Sequence, residues 1–586
     1  MRLVALIVLS VAAVAAQTRP AVQHGESPQE RTRRMQWWRE ARFGMFIHWG
    51  ISSVAAGEWN GNAIAGYAEW LMSTAGVPVA EYARLAERFD PVRFDAGEWV
   101  RLAKQAGMKY IVITAKHHDG FAMYDSKVSP FNIVAATPFH RDPLRELASA
   151  CAREGMKLGF YYSQSQDWHH RGGAGNSWDP SQSGDYDAYL DSIAVPQVKE
   201  LLTGYGPVAV LWYDTPRHMT VARADKFLAL HGLQPGLIVN NRLRPPEPDG
   251  PNPLGDTETP EQFVPPNGYP GKDWETCMTM NDSWGFKRRD QNWKSADDLI
   301  RNLSDISSKG GNFLLNVGPT AEGEIPGASV ERLRDIGAWL KRNGEAIYGT
   351  EAGPFAHRLP WGRASQKKSP NGGATLYLHV WTRPPDGAIL LPGLHDRPHG
   401  VRMLTGSAAV QTSDTAAGLR VSLPAFTTAE PVTIAVLEYS KAPEVKQTLS
   451  SVRPDGRIPL DPSDAELSGP DNERPTISGS GDAVTISVRS RWRLQYSFTA
   501  PAERIWVVSA ELAPSSYNRL TASAPGPFGA SVTRAVQAWG DGPNSFTTVE
   551  LGILRLPAGL NALELKSELE DPRPLRIRRI WLSPVK

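Results

Sequence analysis

Cysteine is almost missing from this 586-residue chain. Only Cys151 and Cys277 occur, too few for a disulfide scaffold or a thiolate zinc cluster. A charge of one sign is missing too: 63 Lys plus Arg stand against 62 Asp plus Glu. That balance gives no electrostatic ground for a nucleic-acid partner. Long apolar runs are absent with one exception, residues 3–16, which follow Arg2 and end in small residues before Gln17. This run is short of the ~20 residues a spanning helix needs, so no membrane span is expected. It reads as a signal peptide, 1–16, cut near Ala16, which predicts an exported protein, periplasmic or extracellular. Export brings an oxidising compartment, yet Cys151 lies on the apolar face of a predicted helix and is expected to be a buried free thiol. What is plentiful is tryptophan, 19 residues whose faces suit sugar rings as well as cores.

From about 85 to 345, short apolar runs alternate with amphipathic helices. Asp95 with Glu98 marks a helix start, and Trp99, Leu102, Ala103 and Ala106 form its apolar stripe. Gly107 ends that helix before a buried strand at 110–113. The unit repeats: Pro143 opens a helix with Leu144, Leu147, Ala148 and Cys151 on one face, Gly155 closes it, and 158–162 is the next strand. Further strands are expected at 43–47, 208–214, 237–242 and 313–317. A helix starts at Ser295 with Asp298, and another spans about 330–343. Apolar strands separated by helices mean a parallel sheet covered on both faces. The number of units points to an α/β fold with a (β/α)8-like barrel, a catalytic domain over 24–349. Beyond Gly349 short β runs predict a β-sandwich over 350–442, a Pro- and Ser-rich linker over 443–472 and a second sandwich over 473–586.

In a parallel barrel the reactive groups come from the C-terminal strand ends. Those ends carry His48-Trp49-Gly50, Lys116-His117-His118-Asp119-Gly120, Ser163 with Asp167 to His170, Asp214, and Asn240-Asn241-Arg242. Adjacent histidines on an extended chain point to opposite sides, and no HExxH spacing occurs, so no metal is expected. Hydrogen bonding to a polyhydroxylated ligand is the better use of this rim. Asp214, directly after six apolar or aromatic residues, stands where an uncompensated charge is costly; as an alternative it caps the next helix. Glycoside hydrolysis needs two carboxyl groups. Glu275, beside Trp274, is the preferred partner because an apolar setting raises its pKa. Glu58, Glu69, Glu258 and Glu261 stay open on spacing alone.

The motifs together resemble the α-L-fucosidases of glycoside hydrolase family 29. They are Trp37-Trp38, the 43–50 run (FGMFIHWG), Ala68-Glu69-Trp70, Lys116 to Phe121, Tyr161-Tyr162-Ser163, Leu211 to Asp214, Trp274 to Cys277, Ser283-Trp284-Gly285 and the 312–319 run (NFLLNVGP). The resemblance covers about 35–350. It implies an exo-acting, retaining α-L-fucosidase that works on a fucosylated glycan without a cofactor, on a barrel followed by a β-sandwich. Carried over residue by residue, Asp214 resembles the nucleophile and Glu275 the acid/base, with Glu58 or Glu69 as its replacement. His48, Glu69, Trp70, His117, His118, Tyr162, Trp212 and Arg242 resemble the sugar-binding set. Trp284 and Phe286 would pocket the C5 methyl, worth only ~1–3 kcal/mol of discrimination. Two alternatives remain: a related exo-glycosidase for other fucose-like L-sugars, and a non-catalytic carbohydrate-binding protein. The second sandwich lies outside the resemblance and is compared only with accessory carbohydrate-binding modules, and the oligomeric state is left open.

Overall fold

The computed structural model describes residues 26–245, 255–265, 267–355, 359–425, 430–446, 449–468, 476–478, 485–488, 492–513, 518–524, 531–536, 546–567 and 575–585. The expected signal peptide lies outside them.

Eight parallel strands form the first unit: β1 Phe43–Ile47, β2 Tyr110–Lys116, β3 Lys157–Tyr162, β4 Val210–Tyr213, β5 Ile238–Val239, β6 Thr257–Glu258, β7 Asp273–Thr279 and β8 Asn312–Val317. Sequence neighbours pair from β1 to β5 and from β6 to β8, and β8 pairs with β1. A parallel bridge between Asn240 and Thr257 brings the β5 and β6 edges together, so the sheet is a nearly closed barrel. The expected (β/α)8-like architecture is the one observed.

The helix signals act as expected. In α2, Ala96–Gln105, Asp95 accepts a hydrogen bond from the Glu98 N–H at 2.9 Å. In α3, Pro143–Glu154, Asp142 caps the start and Gly155 takes the left-handed backbone that ends the helix. Val195–Gly204 (α4), Val221–His231 (α5), Ala296–Ser308 (α6) and Gly327–Asn343 (α7) complete the outer layer. Among the described residues no helix lies between β5 and β7. There the first helix, α1 (Pro28–Ala41), ties the strands down from below. Arg34 grips Asp256 through bonds of 2.8 and 2.9 Å, and Arg39 reaches Asp273 at 2.6 Å.

The strands bury both faces, and alternation splits them into two cores. Phe46, Tyr110, Tyr161, Trp212, Cys277 and Leu314 face into the barrel with Trp38. Ile47, Ile111, Tyr162, Leu211, Met278 and Leu315 face the helices. Gly44 is dictated by this packing: the Tyr110 ring fills the space a Cβ would take.

The chain beyond the barrel forms two antiparallel sandwiches. The middle one packs Gly362–Lys368, Ala374–Val380 and Thr433–Tyr439 with their edge strands against Ala388–Pro392, Gly418–Ser422 and Gln411–Thr415. The C-terminal one has a six-stranded and a five-stranded sheet around Leu494, Phe498, Val508, Leu554, Leu565 and Ile577. Its chain begins earlier than the composition suggests. Ile458–Leu460 pairs with Leu575–Pro584 and Glu466–Ser468 with Arg493–Ala500, so two strands come from the expected linker. Pro and Ser there sit between short strands, where turn chemistry and linker chemistry look alike.

Candidate active site

A cavity of about 170 Å³ opens at the C-terminal end of the barrel. Phe46, Trp70, Trp212 and Trp284 give it apolar walls, and His48, Tyr67, Glu69, His117, Tyr161, Asp214, Arg242 and Glu261 give it polar ones.

Asp214 stands at its centre, one residue past β4. The Tyr161 hydroxyl donates to Oδ2 at 2.8 Å and Arg242 Nη1 to Oδ1 at 2.9 Å. Burial pushes this carboxyl up, but the Arg242 guanidinium and the Tyr161 bond outweigh it and hold Asp214 below its ordinary value. Asp214 is thus held as a carboxylate with part of its surface open to the cavity. Arg242 Nη1 also donates to Glu261 Oε2 at 2.9 Å. Two oxygens that each lie 2.9 Å from one nitrogen are separated by no more than twice that, 5.8 Å. The guanidinium is itself fixed by Thr259 through Nε at 2.9 Å and lies 4.6 Å from the Trp212 ring centroid. The residues that follow the two carboxylates, Thr215 (φ 44°) and Gln262 (φ 62°), both adopt the left-handed backbone that side chains disfavour. Such strain persists only where surrounding structure enforces it.

The histidines are neutral. Burial lowers His48 and His118 to about 4 and His117 further. His48 Nδ1 donates to Asn316 Oδ1 at 2.7 Å, since an amide oxygen only accepts. Ser163 spends its hydroxyl hydrogen on the Gln166 carbonyl, so His118 Nδ1 donates to it at 2.7 Å. Each ring therefore keeps Nε2 as an acceptor. Burial raises Glu69 to about 7, although the Gly285 N–H donates to its Oε2 at 2.7 Å. Glu69 Oε1 and His117 Nδ1 are buried and have no partner among the described residues. Unpaired polar atoms in a small aromatic-walled cavity are what a sugar hydroxyl would satisfy.

A profile of the family described as α-L-fucosidase matches residues 9–345, more than half of the chain. The chain belongs to the α-L-fucosidase family. It is therefore a glycoside hydrolase. The α-L-fucosidase of Dictyostelium discoideum is 30% identical over 384 residues, 61% of this chain and 79% of that one. The human plasma α-L-fucosidase is 33% identical over 337 residues, 54% and 69% of the two chains. The crystal structure of the α-L-fucosidase from Vibrio sp. strain EJY3 superposes with a TM-score of 0.68 at 29% identity, over 95% of this chain and 98% of that one. Isoenzyme 1 from Paenibacillus thiaminolyticus gives 0.62 at 36% identity, over 70% and 99%.

Of the residues singled out in this fucosidase-family sequence, Asp214, His48, Glu69, Trp70, His117, Trp212, Arg242 and Trp284 line the cavity. His118 stands just behind, with Nε2 3.6 Å from Asp214 Oδ2. Three others lie elsewhere. Glu275 is 2% exposed and does not line the cavity. It is the third residue of β7, level with the first residue of β8, and so points into the lower barrel. There it accepts hydrogen bonds from the Tyr110 hydroxyl and, at 3.2 Å, from Trp212 Nε1. Cys277, one inward position higher, lines the cavity instead. Tyr162 faces the helices and donates to Gln197 Oε1 at 2.8 Å, while its neighbour Tyr161 holds Asp214. Phe286 lines a separate cavity of about 240 Å³ beyond Trp284. Glu58 is paired with Arg289, and Glu258 with Lys272 at 2.6 Å. Glu261 was legible only as one open carboxylate among four. Both cysteines are free and buried, as expected for Cys151.

Proposed function

We propose that this chain removes terminal α-L-fucose from fucosylated glycans by double displacement, with Asp214 as nucleophile and Glu261 as acid/base. The observation that carries this reading is the single Arg242 nitrogen shared by both carboxylates. The two oxygens that share it lie within 5.8 Å of one another, which supports the ~5–5.5 Å spacing of retaining glycosidases over the ~6.5–9.5 Å that inverting enzymes need for a water. An Asp214 oxygen attacks the anomeric carbon as the glycosidic C–O bond breaks, and the departing oxygen takes its proton from Glu261. The resulting Glu261 carboxylate then takes a proton from water. The water oxygen attacks the same carbon, and the ester bond to Asp214 breaks with its electron pair returning to the carboxylate. Glu261 suits the proton role by position: its side chain is 37% exposed at the cavity mouth, where a leaving group departs. Glu275 has no path to that bond.

Azide rescue tests both assignments at once. With an aryl α-L-fucoside, Asp214→Gly should yield the β-fucosyl azide, because azide replaces the nucleophile on the opposite face. Glu261→Ala should yield the α-fucosyl azide, because azide attacks the glycosyl-enzyme. No rescue of either variant, or an α-azide from Asp214→Gly, would overturn the reading.

A further inference from the structure

The C-terminal sandwich lies outside the family match, yet one of its strands reaches the segment that carries Glu261. In Arg493–Ala500 the alternation of side chains puts Arg493, Gln495 and Ser497 on one face. The Arg493 guanidinium lies 5.6 Å from the Phe263 ring centroid, and the Ser497 hydroxyl hydrogen-bonds Asn267 Oδ1. Phe263 and Asn267 follow Glu261 closely in the crossover between β6 and β7, where no helix is found among the described residues.

The same face is anchored at a second point. Glu466 is the register partner of Gln495 and pairs with Arg363 of the middle sandwich. Arg363 in turn binds Asp305 of α6 at 2.7 Å. On the same face of the neighbouring strand, Glu564, the register partner of Gln495, accepts from it at 2.7 Å and stands 3.7 Å from Arg493, which fixes the direction of both side chains. On the barrel side the crossover is held by the Gln262 N–H on the Cys277 carbonyl at 2.9 Å and by Thr276 Oγ1 on the Phe263 carbonyl at 3.2 Å. The loop is thus clamped between β7 and a sandwich that is itself bolted to the barrel.

We infer that the C-terminal sandwich is a positioning element of the active site, with Arg493 and Ser497 holding the Glu261 segment in register for proton transfer. This rests on Glu261 being the acid/base. The backing that a crossover helix gives other strands comes here from a separate domain, and a small displacement of a general acid is costly to catalysis.

The full-length Arg493→Ala/Ser497→Ala variant tests it with two substrates, a dinitrophenyl α-L-fucoside and a fucosyl-lactose. The first leaving group needs no proton and the second does. The expected result is a loss of about tenfold in kcat/KM on the fucosyl-lactose and little change on the aryl fucoside, with recovery in Arg493→Lys/Ser497→Thr. Equal losses on both substrates, or none, would overturn the inference, since a merely structural contact carries no leaving-group dependence. Glu261→Ala is measured alongside. If it too lacks leaving-group dependence, the acid/base assignment is what fails.

Discussion

Asp214 and Glu261 meet at one atom, Nη1 of Arg242, at 2.9 Å each. This couples the two carboxyls electrically. Replacing Arg242 with Met should lower kcat by about 10²–10³-fold. Because Arg242 depresses Asp214, its loss should also move the acid limb of the kcat/KM profile to higher pH. An unmoved acid limb would show that Arg242 does not set the charge of Asp214.

Tyr161 and Tyr162 are neighbours with opposite duties. Tyr161→Phe removes a charge-assisted bond to Asp214 and should cost about ten- to a hundredfold in kcat. Tyr162→Phe removes only the bond to Gln197 and should cost about 1 kcal/mol of stability with turnover kept. Steady-state kinetics beside urea titrations separate the two, and the reverse pattern would mean that the inner and outer faces are exchanged.

Glu275 should behave as a core residue. Glu261→Gln is expected to lose about 10²–10⁴-fold on substrates with poor leaving groups, whereas Glu275→Gln keeps its leaving-group dependence. Burial raises Glu275 from 4.5 to about 7. The folded state therefore binds this proton more tightly than the unfolded chain. Its contribution to stability is complete below pH 4.5 and is lost as pH rises through about 7. Glu69, raised to about 7 by burial, adds to the same fall. The buried histidines, lowered by burial, pull stability the other way below pH 6.5, so the carboxyl is isolated by difference. The urea midpoint of the wild type relative to that of Glu275→Gln should fall between pH 5 and 8, and a difference that rises over that range would contradict the burial of Glu275.

Arg363 joins three domains through Asp305 and Glu466. Arg363→Met strips the counter-charge from Glu466 and leaves Asp305 with Lys309 alone, and breaking such a buried pair costs about 3–5 kcal/mol. Calorimetry should show the C-terminal sandwich unfolding at a lower temperature than the barrel. A single, unshifted transition would show that the triad does not couple them.

Most of the barrel was legible in the chain. Asp95, Pro143 and Ser295 announced helix starts, Gly155 announced a stop, and the apolar runs at 43–47, 110–113, 158–162 and 313–317 lie within observed strands. These are local signals, because caps and periodicity need only a few neighbouring residues. Asp214 was legible for the same reason: it directly follows an apolar strand.

Tertiary structure decided the rest. A strand buried on both faces carries no polar side to mark which residues look inward, so Tyr161 could not be told from Tyr162. Nor could sequence say how deep along β7 a side chain sits, which separates Glu275, below Trp212, from Cys277 in the cavity wall. Glu261 enters the site through contacts with residues remote in the chain, Arg242 on one side and Cys277 on the other. The short β6 and the helix-free crossover gave no periodic pattern to announce it. Local physics writes caps, strands and turns into the sequence. Which side of a doubly buried strand meets the cavity, and which distant carboxylate shares its arginine, are set only when the barrel closes.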